Sequence, residues 1–452
     1  MKRYGVVLGA GMGTRMKSEV PKVMHEVMGK TMIEHAVGAL EGASVEKIVV
    51  VTGHKADLVE GCLGKRAEYA MQYQQLGTAH AVMMAADLLG NLEGTTVVTY
   101  GDGPLLTAET LKRLFLHHEQ SGAGLTMLTA KTQNPQGYGR IIREAGGNIV
   151  RIVEQKDAKA DELLITEINP GVACYDNQIL FDALAKVGNE NSQGEYYLTD
   201  LVEIIIEMGY QVEAVVSDDF EETLGVNDRA QLATASRIMR DRINNKHMEN
   251  GVTLIDPNAT YIETDVVIKP DVIIEPNVYL KGNTAIETGA IIGAGTNLIN
   301  AKVGENAHIQ ASFISDSKIG SHATVGPFAH IRAEATVGPK SRVGNFVEIK
   351  KANLGEEVKA AHLSYMGDAE IGPRVNMSCG AITANYDGKK KYKTIIGADA
   401  MIGSNVNLIA PVEIGERAYV AAGSTVSKNV PNEALAIARS KQVNKEGYAK
   451  KL

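Results

Sequence analysis

From Ile262 onward an aliphatic side chain returns at every sixth position, a period that belongs neither to an α-helix nor to an alternating strand. The run Ile262, Ile268, Ile274, Leu280, Ile286, Ile292, Leu298 keeps one register, and the period resumes at Val303 and Ile309, at Ile319, Val325 and Ile331, and at Val337, Val343 and Ile349. A last stretch sets Ile396, Ile402, Leu408, Ile414, Val420 and Val426 in step, commonly with Gly next, as in Ile402-Gly403. Hexads on three sides per turn build a prism of short parallel strands, a β-helix with the aliphatic rows inside. Such a coil can be structural or trimerising only, or it can carry chemistry on its surface; the repeat alone leaves both open.

The first half is written differently. At 452 residues the chain exceeds one compact core. Strand-like runs at Tyr4–Leu8, Lys47–Val51, Thr95–Tyr100 and Leu125–Thr129 alternate with helical patterns at Met32–Leu40, His80–Leu89 and Ala108–His118, which predicts a parallel sheet covered by helices on both faces. A further strand is expected over Ile168–Tyr175 and helices over Gln178–Val187 and Leu198–Met208. Asp228–Met248 reads as one long helix, capped by Asp228 and ended by Asn250-Gly251. The expected domains are therefore 1–227, a helical arm 228–250 and a β-helix 251–452. The basic tail after Pro431 is expected to be irregular or a helical cap.

Composition narrows the partners. Trp is absent, and aromatics at 5% are too sparse for a stacking platform on single strands. A net charge of −8 disfavours a polyanion overall, while residues 1–30 hold six cations against two anions, room for a local anion site. Cys62, Cys174 and Cys379 lie far apart with no CxxC, so neither a disulfide framework nor a zinc cluster is suggested. No run of eighteen apolar residues occurs, and the short Gly-rich start leads into Thr14-Arg15-Met16-Lys17 rather than a cleavage site. The expectation is a cytoplasmic protein with no membrane insertion and no nucleic-acid partner.

Leu8-Gly9-Ala10-Gly11-Met12-Gly13-Thr14-Arg15-Met16 follows the first strand, so its backbone N–H groups can approach a polyphosphate where the chain turns toward a helix, and Lys22 adds a mobile charge. It is neither a P-loop nor a dinucleotide fingerprint, because the G-x-x-x-x-G-K-[ST] string and the third spaced Gly are both missing.

This string, with Pro21-Lys22-Val23, resembles the signature of sugar-1-phosphate nucleotidyltransferases. Gln75-Leu76-Gly77-Thr78, Tyr100-Gly101-Asp102, Gly137-Tyr138-Gly139-Arg140, Ile152-Val153-Glu154, Glu167-Ile168-Asn169, Gly194-Glu195-Tyr196-Tyr197 and Gly225-Val226-Asn227 follow in the order of one member family. That family is the bifunctional N-acetylglucosamine-1-phosphate uridylyltransferase and glucosamine-1-phosphate acetyltransferase, and the likeness runs on into the β-helix. It implies a Rossmann-like α/β nucleotidyltransferase domain followed by a left-handed parallel β-helix, a homotrimer, Mg²⁺, and UTP, N-acetylglucosamine 1-phosphate, glucosamine 1-phosphate and acetyl-CoA as reactants.

The resemblance also implies roles. Leu8, Gly11, Gly13 and Thr14 would approach the nucleotide, with Arg15 and Lys22 on the pyrophosphate. Asp102, at the end of a buried strand, would pair with Asn227 as a Mg²⁺ ligand. Gln72, Gly77 and Thr78 would read uracil, beside Tyr100, and Gly139, Glu154 and Asn169 would hold the sugar.

The second set lies on the coil. Lys359-Ala360-Ala361-His362-Leu363-Ser364-Tyr365 interrupts the hexads, and acetyl transfer to an amino sugar needs a base for the ammonium, which a neutral His suits near neutral pH. By resemblance His362 is that base, Arg332 and Lys350 bind the sugar phosphate, and Tyr365 and Asn376 complete the pocket. The period breaks again over Thr383–Ile395, where Asn385 and Tyr386 precede a Lys cluster. The resemblance sets Asn385, Tyr386, Cys379, Ser404, Ala422 and Arg439 against coenzyme A.

The chain departs from the family pattern at Met12, Ala79, Gly103 and Pro170 near the first site and at Ala361, Ser378, Cys379 and Ala381 near the second. Pro170 biases Asn169 toward extended backbone and removes a donor. Two rival readings remain: a single-activity nucleotidyltransferase with a regulatory coil, for example one making ADP-glucose, and a non-catalytic scaffold with a nucleotide-sensing domain. His362 with Arg332, Lys350 and Tyr365 disfavours the first, because an inert coil would not need this set, and the intact Lys22, Asp102 and Asn227 disfavour the second. A fragment ending near Arg229 would carry every first-site residue.

Overall fold

The computed structural model describes residues 1–191 and 193–451. They divide into two compact units, Met1–Met239 and Arg240–Leu452.

In the first unit, strands Arg3–Leu8, Lys47–Thr52 and Thr95–Tyr100 lie side by side in parallel, Val6 opposite both Val49 and Val98. Their alternate residues enter opposite cores. Val6, Leu8, Val49, Val51 and Val98 join the helices at Thr78–Met83, Asn177–Leu184 and Leu201–Glu207. Val7, Ile48, Val50 and Val97 join those at Met32–Gly42 and Ala108–Ser121. A strand apolar on both faces must be covered on both, which gives the three layers. Helix Met32–Gly42 starts where Thr31 accepts from the Glu34 N–H at 3.3 Å and Glu34 Oε2 accepts from the Thr31 N–H at 2.8 Å.

The sheet is mixed, not parallel throughout. Ala173–Asp176 runs antiparallel to Thr95–Tyr100, and Glu167–Asn169 runs antiparallel to Leu125–Lys131. The single strand expected over Ile168–Tyr175 is two, separated at Pro170-Gly171. Gly171 has φ +88°, and a Cβ there would lie 2.2 Å from the Tyr100 ring, so only glycine lets the chain pass that phenol. The helix expected over His80–Leu89 is likewise two short pieces, Thr78–Met83 and Ala86–Leu89.

The second unit is the left-handed β-helix. Ile274 pairs with Ile292 and Leu280 with Leu298, each eighteen residues on, three hexads to a turn. All the expected row residues are buried in one continuous core. The slip after Leu298 is a shortened turn: Leu298 pairs with Ile314, sixteen residues on, and Ile314 fills an inward position that the period alone does not reveal. The positions two places before the aliphatics are buried too, some with small residues such as Thr284, Ala290 and Thr296 and some with Val, as at Val272 and Val278. Polypeptide leaves the prism once by a long excursion. Ile371 pairs with Ile396, twenty-five residues on, and the surplus forms a hairpin closed by Tyr392 N–H to Asn385 O at 2.8 Å.

Helix Arg229–Glu249 is not a bare arm. Asp228 Oδ1 caps it through the Gln231 N–H at 2.9 Å. Ala235 and Ile238 are buried with Val27, Met32 and Leu105 in the first unit, while Asn244 Nδ2 donates to Pro257 O at 2.8 Å and to Thr260 O at 3.0 Å in the second. A fragment cut at Arg229 therefore loses two core side chains, Ile238 worth about 2–3 kcal/mol and the Ala235 methyl roughly 1 kcal/mol. It is expected to melt well below one that continues past Met239, with uridylyl transfer retained by the longer piece; equal melting temperatures would remove Ala235 and Ile238 from the core of that unit.

Candidate functional site

The first site forms where the parallel strands end. The chain order reverses between Arg3–Leu8 and its neighbours, so the loops after Leu8 and Tyr100 diverge and leave a crevice. A cavity of about 350 Å³ there is lined by Leu8, Gly11, Lys22, Gln72, Gly77, Thr78, Tyr100, Asp102 and Asn227. An adjoining cavity holds Gly139, Glu154 and Asn169 with Thr78 and Tyr100. A third, beside Asp102 and Asn227, includes Arg15. Tyr100 borders all three.

The glycines of the loop have separate tasks. Gly13, at φ +59°, leaves room for Lys22, whose Cβ lies 2.5 Å from where a side chain would start. Gly11 has nothing within 4 Å, so it leaves the cavity open for close approach of a ligand to backbone. Gln75 Nε2 ties the loop down through Ala10 O at 2.6 Å. The loop continues into one 3-10 turn, Thr14–Met16, and the long helix starts only at Met32. The expected helix terminus at the loop is thus absent, and anion recognition falls to loop N–H groups and cations. Gly13 and Thr14 do not line the cavities; Thr14 is exposed.

Lys22 Nζ reaches Asp102 Oδ2 and lies 3.1 Å from Asn227 Oδ1. A cation already rests between these two half-buried oxygens, which suits a hard divalent ion with oxygen ligands and leaves its other positions to water and phosphate. Among the described residues no group of three or more His, Cys, Asp or Glu side chains could hold a metal. Asn227 is set by its N–H on Gln231 Oε1 at 2.7 Å.

Gln72 Nε2 donates to Gly77 O at 3.2 Å and meets His80 Nδ1 at 3.0 Å, which fixes the amide in the wall. Gly77, at φ +114°, lies so close to Tyr196 that a Cβ would meet its carbonyl oxygen at 2.5 Å. Thr78 Oγ1 accepts from the Leu198 N–H at 3.0 Å. Asn169 Oδ1 accepts from the Gly171 N–H at 2.9 Å. Burial raises the Glu154 carboxyl against the opposing effect of the Thr199 hydroxyl, and pushes Tyr100 up so that its phenol stays a donor. Asp200 is pushed up to about 6 by burial and by the neighbouring Glu203, Glu154 and Asp157. Thr199 and Gln231 are wall residues outside every quoted string, while Gln75 and Glu195 lie inside such strings but were assigned no role. Of the departures, Met12 projects outward, Ala79 is fully buried, and Gly103 lines the third cavity where a Cβ would have room.

On the β-helix, the interrupted hexads are two continuous nine-residue strands, Arg342–Lys350 and Lys359–Gly367, paired through the corner of the prism. Arg332 and Lys350 are register partners, and Glu348 faces Tyr365. Arg332 Nε bonds Glu348 Oε1 at 3.1 Å. Lys391 of the hairpin, with Arg332, lowers the proton affinity of Lys350, a crowding of cations that an anion would relieve. His362 is exposed, and its Nδ1 lies 3.2 Å from Asn345 Oδ1. Asn376 Nδ2 donates to Ser378 Oγ at 3.1 Å.

Of the residues expected against coenzyme A, Cys379, Ser404, Ala422 and Arg439 stand on successive turns of the coil, while Asn385 and Tyr386 lie in the hairpin. Asn405 N–H bonds Cys379 O at 2.9 Å, Gly423 N–H bonds Ser404 O at 2.8 Å, and Arg439 Cδ lies 3.8 Å from the Cβ position of Gly423, next to Ala422. Asn385 Nδ2 donates to Asp368 Oδ2, and Tyr386 Oη donates to Gly388 O at 2.7 Å within the hairpin. Glu348 and Asn345 were not marked by any motif, and strand pairing brings them to the site; Lys391, in the Lys cluster of the period break, comes from the hairpin.

Comparison with known proteins agrees with this geometry. The nucleotidyl transferase family matches residues 4–228, and the bacterial transferase hexapeptide family (six repeats) matches 316–351 and 393–428. The chain is 52% identical over 451 residues to the bifunctional protein GlmU of an Exiguobacterium species, covering 100% of both. It is 53% identical to that of Geobacillus thermodenitrificans, over 100% of this chain and 98% of that protein, and 50% identical to that of Staphylococcus epidermidis, over 100% of both. No helix among the described residues is long and apolar enough to cross a membrane.

Proposed function

We propose a division of labour between two sites in this chain, which belongs to the GlmU family of bifunctional transferases and makes UDP-N-acetylglucosamine in two steps. One step moves the acetyl group of acetyl-CoA to glucosamine 1-phosphate, and the next moves the uridylyl group of UTP to N-acetylglucosamine 1-phosphate with release of pyrophosphate. The observation that carries the first site is the meeting of Lys22 with the Asp102 and Asn227 oxygens at the edge of the crevice.

In that site Asp102 and Asn227 would hold Mg²⁺, which when bound supplies charge neutralisation on the triphosphate. Lys22 then turns from these oxygens to the phosphates, where with Arg15 it stabilises the leaving pyrophosphate. Gln72, its amide nitrogen engaged with Gly77 and His80, offers its oxygen to the uracil imide N–H. Glu154 and Asn169 accept from sugar hydroxyls and the N-acetyl group. No side-chain nucleophile is needed, because the sugar phosphate oxygen attacks in line.

In the acetyl site Arg332 and Lys350 hold the sugar phosphate, and His362 takes the ammonium proton. The freed amine attacks the thioester carbon, the coenzyme A sulfur leaves and is protonated by the imidazolium, and the surplus proton remaining on the new amide nitrogen passes to solvent. Tyr365 and Asn376 close the pocket, and Cys379, Ser404, Ala422, Arg439, Asn385 and Tyr386 contact coenzyme A. We place the enzyme in the cytoplasm as a homotrimer. Phe328, Phe346 and Leu363, 61%, 58% and 59% exposed along one corner, are an apolar column of the kind a partner subunit covers.

Cys379 offers a direct test of the coenzyme A residues. It is exposed, whereas Cys174 is buried, its thiol pushed well up by burial, and Cys62 is half-buried with its thiol raised. Alkylation is expected to modify Cys379 first and to block acetylation while sparing uridylylation, with acetyl-CoA protecting. Acetylation that survives full modification of Cys379 removes that residue from the donor site.

A further inference from the structure

We propose that Asn345 is the positioning residue for His362, holding the imidazole in the tautomer that presents Nε2 as the base; this rests on the reading of His362 as the acetyl-transfer base. The motifs that define the acetyl site do not include Asn345. The pairing of the two long strands does.

Asn345 and His362 are register partners on adjacent turns, with Asn345 Oδ1 3.2 Å from His362 Nδ1. The approach is built into the backbone. Gly344 precedes Asn345, and a Cβ on it would lie 1.8 Å from Ala361 O, the residue before His362, so only glycine allows the two turns to close at this point. On the other side Phe346 and Leu363 turn the corner at φ +57° and +32°, and Phe346 stacks on Phe328 with centroids 5.7 Å apart. Ser364 Oγ donates to His362 O at 2.8 Å. The two residues are thus placed by a glycine contact before them and by a corner with left-handed backbone and stacked Phe rings after them.

The chemistry follows from the acceptor. A carbonyl oxygen can only accept, so Nδ1 carries the proton and Nε2 keeps its lone pair for the substrate ammonium. Without the acceptor the ring is free to protonate Nε2 and to rotate, and base and substrate lose alignment. The charged and titratable groups on the strands packed here are Lys359 and Tyr365 on the His362 strand and Arg342, Glu348 and Lys350 on the Asn345 strand, with Cys379 in the next turn. Glu348 is bound to Arg332, and the register sets it against Tyr365, so the Asn345 amide is the polar group recorded on Nδ1.

The test compares purified full-length wild type, Asn345→Ala, Asn345→Asp and His362→Ala. Asn345→Ala is expected to lower kcat for acetylation about ten- to a hundredfold with KM for glucosamine 1-phosphate nearly unchanged, the scale of losing an orienting partner of an imidazole. Asn345→Asp keeps an acceptor and is expected to retain most activity, with the acid limb of its pH–rate profile moved to higher pH by the added carboxylate. Uridylylation in the same preparations reports folding. An Asn345→Ala enzyme with wild-type kcat and pH profile, beside an inactive His362→Ala, overturns the positioning role alone; an active His362→Ala overturns the base itself. Nitrogen NMR of the His362 ring that finds Nε2 protonated in the neutral wild type also overturns the proposal.

Discussion

Asp102→Ala and Asn227→Ala are each expected to abolish uridylyl transfer and to leave acetylation near its wild-type rate. The two oxygens meet one cation in the first unit, and the acetyl residues belong to the other. Losing charge stabilisation worth several kcal/mol corresponds to about three orders of magnitude in rate. Both side chains are half-buried at the crevice rim, outside the aliphatic cores, so the fold and its melting temperature should change little. The measurement is Mg²⁺-dependent pyrophosphate release beside free coenzyme A release on the same preparation. Pyrophosphate release at the wild-type rate from Asp102→Ala would strip that residue of its metal role, and a parallel loss of acetylation would point to general unfolding instead.

His362→Ala is expected to lower acetyl transfer by about two to four orders of magnitude, the range for deleting a general base. Uridylylation should be untouched. The side chain is exposed on the prism and contributes nothing to the aliphatic rows, so elution volume and thermal stability should match the parent. Rate in the parent falls toward acid pH, since an imidazolium cannot accept the ammonium proton. Near-normal coenzyme A release from the variant would shift the base to Tyr365 or to a bound water.

What was legible from residues alone divides along physical lines. The inward rows of the β-helix follow from period, because each turn must return an aliphatic to the same axis; Ile262 to Leu298 needed no structure to place. Ile314 escaped because the turn that carries it is two residues short, and pairing rather than spacing keeps it in register. Strands Glu68–Met71 and Val212–Val216 were missed since they are short, partly exposed and without clear alternation. The break at Pro170-Gly171 hid inside an apolar run, and its cause, the Tyr100 ring, is remote in sequence.

The crevice was legible through Lys22, Asp102 and Asn227, which sit in distinctive strings, although the helix expected at the glycine loop is one 3-10 turn. Asn345 and Glu348 were not, because outward positions of a hexad carry no periodic signal; their meaning comes from the turn stacked on them. The arm helix was read as a connector, yet Ala235 and Ile238 are core residues of the first unit.

The central claim is that two separate sites in one chain build one product. It is tested most directly by a single incubation of the purified enzyme with glucosamine 1-phosphate, acetyl-CoA, UTP and Mg²⁺, with products identified by mass. The account predicts UDP-N-acetylglucosamine, with one coenzyme A and one pyrophosphate released for each molecule formed, and accumulation of N-acetylglucosamine 1-phosphate when UTP is omitted. A uridylylated sugar lacking the acetyl group, or an acetylated sugar phosphate that never acquires uridylate, would contradict it.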